Sequence, residues 1–162
     1  MIHGQLRAMF DTNTYQILLE KELQAVIHLV ESGSLIVYGC SVIRDELRNI
    51  PKSTRFGGKS FRSTMLSIYD SLVKKHSMPV DKVAETPAKE YLAEYEGGMS
   101  KSKLCNDFLI VAAATLKCLD IVVSEDNKTL RSRQSLLAYN KVNHRNGLAT
   151  PRLLSLEELL RP

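Results

Sequence analysis

A few acidic side chains, remote from one another in the chain, stand where acids are costly. Asp11 closes the apolar run Ala8-Met9-Phe10. In SVIRDELRNI, Ile43, Leu47 and Ile50 fall at i, i+4 and i+7, and Glu46 takes i+3 on the same helical stripe, while Asp45 falls off it. In KLCNDFLIVAAA, Leu104, Phe108 and Val111 repeat that spacing and Asp107 again takes i+3. The pair Glu125-Asp126 follows the apolar run at residues 119–123. Each acid alone has an ordinary account. A strand ends in a turn, and Asp107 can pair with Lys103 or sit in a first turn favoured by the helix dipole. Together they are harder to dismiss, because a carboxylate turned toward a core costs free energy unless it is paired or metal-bound. Converging carboxylates repel one another and raise each other's pKa. A hard divalent cation, which prefers oxygen ligands, is the simplest compensation. No His or Cys cluster competes for that role, and Asn13, Thr14, Ser41, Ser124 and Asn127 add neutral oxygens beside the acids.

The elements that must carry these acids alternate. Residues 8–10 read as a buried strand, and residues 15–30 as one largely helical stretch with Leu18, Leu19, Leu23, Val26, Ile27 and Val30 at helical spacing. Residues 35–38 form a second apolar, β-rich run. Ser41 is the expected N-cap of a helix over 42–50, closed by Pro51. A basic, Gly-containing loop at 51–59 precedes a helix over 61–75, and a weak strand is expected within 78–83. Pro87 predicts a helix over 86–96 with proline at its first position. Residues 104–118 are the most apolar helix, 119–123 the clearest strand, and 129–142 a further helix. Residues 153–160 are too short to classify. This alternation predicts a parallel α/β sheet with helices on its faces. Such sheets place sites beyond the carboxyl ends of their strands, where Asp11 and Glu125-Asp126 both fall.

With 162 residues the chain is expected to form one domain, 1–162, without repeat or linker. Its 44% hydrophobic and 25% charged residues are ordinary for a soluble globular protein. The charge, 22 − 18 = +4, permits a polyanionic partner without demanding one. Cys40, Cys105 and Cys118 are too few and too scattered for a disulfide framework or zinc site, and read as buried thiols in a reducing compartment. No run is long enough to span a bilayer and no signal-peptide pattern opens the chain, so no membrane partner and a cytoplasmic location are expected.

The ordered set FDTNTY, VIRDEL, NDFLIVAAA and IVVSEDNKTL, with the close ATPRLLSLEELL, resembles the PIN-domain ribonucleases, including the toxins of VapC-type toxin–antitoxin pairs. The resemblance implies a Rossmann-like three-layer α/β/α fold with a central parallel sheet. It also implies an endoribonuclease dependent on Mg²⁺ or Mn²⁺, acting on RNA. Asp11 matches the family's first-strand aspartate, Glu46 its helix glutamate and Asp107 the aspartate of its alanine-rich helix. The fourth acid stays open: Asp126 fits the T-x-D spacing with Ser124 in the hydroxyl place, and Glu125 is the other choice. A small antitoxin protein and a homodimer are further implications of the resemblance, with helices 15–30 and 61–75 offered as the dimer contact.

Asp11 and Asp107 are the expected direct metal ligands. Glu46 and Asp126, or Glu125, would hold metal-bound waters, orient a nucleophile or bind a second ion, with Asn13 and Ser124 supporting them. Lys52, Arg55, Lys59 and Arg62 form a stretch without an intervening acid and are the candidate phosphate-binding rim. The interleaved Phe56 and Phe61 can stack on unpaired bases or pack inward, and packing inward is the expectation. Arg131 and Arg133 are a second candidate rim or an exposed helix face. Gly58-Lys59-Ser60 lacks the glycine a P-loop needs five residues earlier, since Ser53 stands there. His28 reads as a packed histidine. Two alternatives remain. One is a haloacid-dehalogenase-like phosphatase with Asp11 as nucleophile, although Asn13 stands where that chemistry needs an acid. The other is a non-catalytic RNA-binding domain of the same fold.

Overall fold

The computed structural model describes residues 4–161. In chain order the elements are β1 (Leu6–Phe10), α1 (Thr12–Glu20), α2 (Leu23–Glu31), β2 (Leu35–Cys40), α3 (Ser41–Arg48), β3 (Arg55–Phe56), β4 (Lys59–Ser60) and α4 (Phe61–Val73). They continue with β5 (Ser77–Met78), α5 (Lys82–Glu94), α6 (Lys101–Leu116), β6 (Ile121–Val123), α7 (Arg133–Arg145), β7 (Arg152–Leu154) and α8 (Leu156–Leu160).

Five strands form one sheet in the order β5-β2-β1-β6-β7, every neighbouring pair parallel. β1 is the centre, and Ala8, Met9 and Phe10 are wholly buried, as a strand covered on both faces must be. The chain leaves β1 toward β2 and β5, then crosses back to add β6 and β7 on the other side. Strand order therefore reverses between β1 and β6, and a crevice opens beyond their carboxyl ends. Phe10 lies in register with Val123, so Asp11 and Ser124 leave the sheet side by side. Two helical groups cover the sheet: α1, α3 and α4 pack together, as do α5, α6 and α7, and α3 meets α6. Tyr91, Phe108 and Tyr139 stack edge to face with centroids 5.1–6.1 Å apart, which fixes α6 against its neighbours.

The parallel α/β architecture agrees with expectation, but several boundaries do not. The stretch read as one helix over 15–30 is two, because Lys21 is extended and Glu22 is left-handed at φ 69°. Apolar spacing runs through this break, which conceals it in the sequence. Ser41 is not an N-cap: Cys40 holds that position, and the Ser41 hydroxyl accepts the Val80 N–H at 2.9 Å. The helix expected over 86–96 begins at Lys82, because the Asp81 side chain accepts the Val83 N–H. Pro87 thus lies inside the helix, where it deprives only the carbonyl of exposed Val83 of a partner. The weak strand expected within 78–83 is the short β5, Ser77–Met78, ahead of that cap.

The helix expected over 129–142 starts at Arg133, because Ser132 caps it and Asp126 folds residues 126–129 into a turn. The helix expected over 104–118 runs instead from Lys101 to Leu116. The strand expected over 119–123 narrows to Ile121–Val123. Residues 153–160 divide into β7 and α8, the latter opened by a capping box on Ser155 and Glu158. The loop at 51–59 contains a hairpin, β3–β4, turning on Gly57 and Gly58 at φ 57° and 79°. Positive φ at both central residues is what a type I′ two-residue turn requires. Of the cysteines only Cys40 is buried; Cys105 and Cys118 are exposed because they fall on the solvent sides of their segments. His28 is likewise exposed rather than packed.

Candidate functional site

Asp11 occupies the first residue past β1 and caps α1. Its Oδ1 accepts the Thr12 N–H and its Oδ2 the Ser124 hydroxyl, each at 2.8 Å. The residue is 5% exposed. Burial raises its pKa; the hydrogen bonds from Ser124 and Thr12 oppose that, and the nearby Asp126 charge adds to it. Ser124 also accepts the Asp126 N–H at 3.1 Å, so one hydroxyl positions both strand-end acids.

β2 runs into α3 without a loop, which carries Glu46 over the same edge of the sheet. Ile43 and Leu47 hold α3 in the core, fully buried, and their stripe turns Glu46 inward. Glu46 Oε1 and the neighbouring Thr12 hydroxyl are both buried, and neither makes a hydrogen bond of ordinary geometry. Burial, then the charges of Asp11 and Asp107, push the Glu46 carboxyl up to about 7, against the weak influence of the Thr12 hydroxyl beside it. Asp107 lies about two turns into α6, turned inward with Leu104 and Phe108, and it forms no ion pair with Lys103. Burial pushes it up to about 7 as well, against a hydrogen bond from Thr129 and with the help of Asp11 and Asp126.

Asp126 is held differently. Its Oδ1 accepts the N–H groups of Lys128 and Thr129 at 2.8 and 2.9 Å. Burial pushes its pKa up, but the Thr129 hydroxyl and these two N–H groups outweigh that and leave it below the usual value. The Thr129 hydroxyl lies 2.6 Å from Asp107 Oδ2 and also touches Asp126 Oδ2. Thr129 therefore bridges the two acids and ties their positions together. Thr129 escaped the sequence reading; the signal was D-N-K-T, an aspartate followed three residues later by a hydroxyl in a turn.

These four acids line one cleft of about 320 Å³. Thr12, Asn13 and Gln16 add polar groups to its wall, Ile50, Phe61 and Met65 an apolar side, and no Lys, Arg or His lines it. The two candidates for the fourth acid are placed differently. Asp126 faces the cleft, whereas Glu125 points away and accepts the Leu156 N–H at 2.7 Å. A larger groove of about 500 Å³, between Ile17, Leu156 and Arg161, contains only Glu125 among the candidate acids. Asn13 Oδ1 accepts the Glu125 N–H at 3.1 Å and so fastens the loop after β6.

The oxygen-only donor set, the orphaned Glu46 Oε1 and the absence of a basic lining residue fit a hard divalent cation. Among the described residues, however, no three such side chains are already drawn together around an ion-sized point. Asp107 and Asp126 meet through the Thr129 hydroxyl, and a cation would have to gather the other acids toward them.

Of the basic candidates, Lys52, Arg55 and Lys59 are exposed and form no ion pair among the described residues. Arg62 is half-buried, with a long 3.5 Å contact to the Arg48 carbonyl. Phe56 is 44% exposed, contrary to the inward packing expected of it, because the hairpin lifts it off the core. Phe61 is half-buried and walls the cleft. Arg131 is no rim: it donates to the Ser124 carbonyl at 3.0 Å and pairs with Glu158 at 2.8 Å. Arg133 is exposed on α7. No described helix is long and apolar enough to cross a membrane.

No family model and no curated protein sequence matches this chain. Solved structures do. One is a chain of VapBC2 from Rickettsia felis bound to a DNA fragment from their promoter, with TM-score 0.59 and 15% identity, covering 93% of this chain and 98% of that one. Another is a chain of FitAB bound to IR36 DNA fragment, at 0.56 and 16%, covering 91% and 94%. A third is a chain of FitAcB from Neisseria gonorrhoeae, at 0.54 and 16%, covering 91% and 96%. At these identities the likeness is one of fold: the parallel sheet between helices is the PIN-domain fold of those chains.

Proposed function

We propose that the chain is a divalent-metal-dependent endoribonuclease, using Mg²⁺ or Mn²⁺ to hydrolyse RNA phosphodiester bonds. The observation that carries this reading is the cleft itself: Asp11, Glu46, Asp107 and Asp126, from four separate segments, with no protein cation to neutralise them. Asp11 and Asp107 would hold the ion directly, with Glu46 and Asp126 completing the set through water or a second ion. When bound, such an ion acidifies its water and neutralises charge developing on phosphate oxygens. The chain's own groups do the rest. Ser124 fixes the orientation of Asp11, and Thr129 that of Asp107 and Asp126. Glu46, with a buried oxygen on the wall of the cleft, is placed to take a proton from an attacking water. Ile50, Phe61 and Met65 keep one side of the cleft dry.

An aspartyl-phosphate mechanism fits less well. Both Asp11 oxygens already accept hydrogen bonds, and Asn13 is engaged with the Glu125 N–H. Incubation of a structured RNA with Mn²⁺, with and without chelator, tests the proposal. Cleavage that requires the ion and disappears in Asp11→Asn supports it. Cleavage that survives in Asp11→Asn overturns it, and ion-dependent binding without cleavage favours a non-catalytic RNA-binding domain.

The reading extends to a toxin restrained by a small antitoxin protein, supported by neighbours in fold that come from toxin–antitoxin complexes. A homodimer belongs to the same reading. α4 turns Met65, Tyr69 and Leu72 into the core, whereas α2 keeps Ile27, Leu29 and Val30 only partly covered, so α2 is the better contact. Co-purification with a short partner and a solution mass of twice the chain are the respective checks.

A further inference from the structure

We infer that the β3–β4 hairpin is a strand-gripping arm, in which Phe56 stacks on an unpaired base and Lys59, on the same face, holds a flanking phosphate beside the acid cleft. The inference rests on the nuclease reading only for the identity of the strand.

Phe56 and Lys59 are cross-strand partners, so both side chains stand on one face of the ribbon; Arg55 and Ser60 share the other. The Phe56 ring lies 6.3 Å from that of Phe61, tilted by 39°. Phe61 in turn walls the cleft that contains the four acids. An exposed ring, a second ring and the acids therefore lie in sequence, a path of one aromatic step from hairpin to cleft. Charge follows the same path. Between Glu46 and Asp70 the chain has five cations, Arg48, Lys52, Arg55, Lys59 and Arg62, and no acid. The negative cleft cannot attract a polyanion by itself, so the attraction must come from beside it, and this segment supplies it.

The arm is mounted firmly. The Phe61 N–H donates to the Thr54 carbonyl at 3.0 Å, the Thr54 N–H to the Pro51 carbonyl at 3.1 Å, and the Thr64 hydroxyl to the Ser60 carbonyl at 2.8 Å. Ser60 caps α4. At the tip, a Cβ added at Gly57 or Gly58 would meet nothing within 4 Å, so the glycines serve the turn and not packing. A solvated tip, a rigid base and an exposed phenylalanine suit contact with a ligand; a stabilising role would have turned the ring inward.

Fluorescence anisotropy of a labelled single-stranded oligoribonucleotide, in chelator so that nothing is cut, tests this on the full chain. Phe56→Ala should weaken binding roughly 5- to 100-fold, the range of one lost base–aromatic stack. Phe56→Trp should bind as wild type and show quenched emission on binding. Lys59→Ala should lower the slope of log affinity against log salt by about 1. A fully paired duplex should be insensitive to Phe56→Ala. Unchanged single-strand affinity in Phe56→Ala, with the variant folded by its unfolding curve, overturns the arm. So does a Phe56 effect confined to self-association or to capture of a protein partner. The two proposals fail separately. Ion-dependent cleavage with unaltered binding in Phe56→Ala removes the arm and keeps the nuclease. Phe56-dependent binding without cleavage at any ion supports the arm and removes the nuclease.

Discussion

Two acidic regions of this molecule are built on opposite principles. On the surface where α5 meets α7, Glu90 and Glu94 are paired with Lys141 and Arg145 at 2.8–3.1 Å, and both carboxyls lie below their usual pKa. In the cleft, Glu46 and Asp107 have no cationic partner and are pushed up to about 7. The chain has lysines and arginines in excess, yet it supplies them where solvent already screens charge and withholds them where burial makes charge expensive. Stability alone would favour the reverse arrangement. The difference supports the proposal that the cleft is organised around an external cation rather than around the needs of the fold.

The largest expected effect comes from removing the centre of the cleft. Asp11→Asn should abolish ion-dependent RNA cleavage, beyond the about 10- to 100-fold typical of supporting residues, while leaving the unfolding midpoint equal or higher. A clear drop in that midpoint would erase the contrast between the two regions. Thr129→Val should fall within the 10- to 100-fold range in activity or metal affinity, measured by titration with Mn²⁺.

The pH dependence follows from the direction of the shifts. Glu46 and Asp107 have folded pKa values near 7, above their ordinary 4.5 and 3.8. Between those values the folded state binds more protons than the unfolded one, so stability falls as pH rises through that window. Partial exposure limits the loss to roughly 1–3 kcal/mol between pH 5 and 8, and saturating Mg²⁺ should cancel it. Denaturant titration at the two pH values measures this; a midpoint that rises with pH would contradict the assignment. The depressed carboxyls, Glu90, Glu94 and Glu158, act at and below about pH 4.5 and do not confuse the window. The smallest effect is predicted for Glu94→Gln, which should leave both cleavage and the unfolding midpoint near those of the parent chain.

The sequence made the sheet legible because its strands are buried on both faces and read as apolar runs between helical periods. It made Glu46 and Asp107 legible because each interrupts an apolar stripe at i+3. It could not distinguish Glu125 from Asp126, since that choice depends on Leu156, thirty-odd residues later, claiming one of them. It also hid the break at Glu22, where apolar spacing continues across a left-handed residue. The hairpin was missed because two two-residue strands leave no periodicity to detect; only Gly57-Gly58 marked it.

The tie between α8 and the loop after β6 has a consequence for the order in which the molecule matures. Ser124 N–H donates to the Leu154 carbonyl, Glu125 accepts from Leu156, and Arg131 joins the Ser124 carbonyl to Glu158. A growing polypeptide that has emerged only as far as residue 150 has every acid but lacks the contacts to Leu154, Leu156 and Glu158. Cation-dependent stabilisation should be absent from a chain truncated there and present in the full one. On the proposed nuclease reading, the four acids are thus synthesised before the strand and helix that fix the loop bearing Asp126.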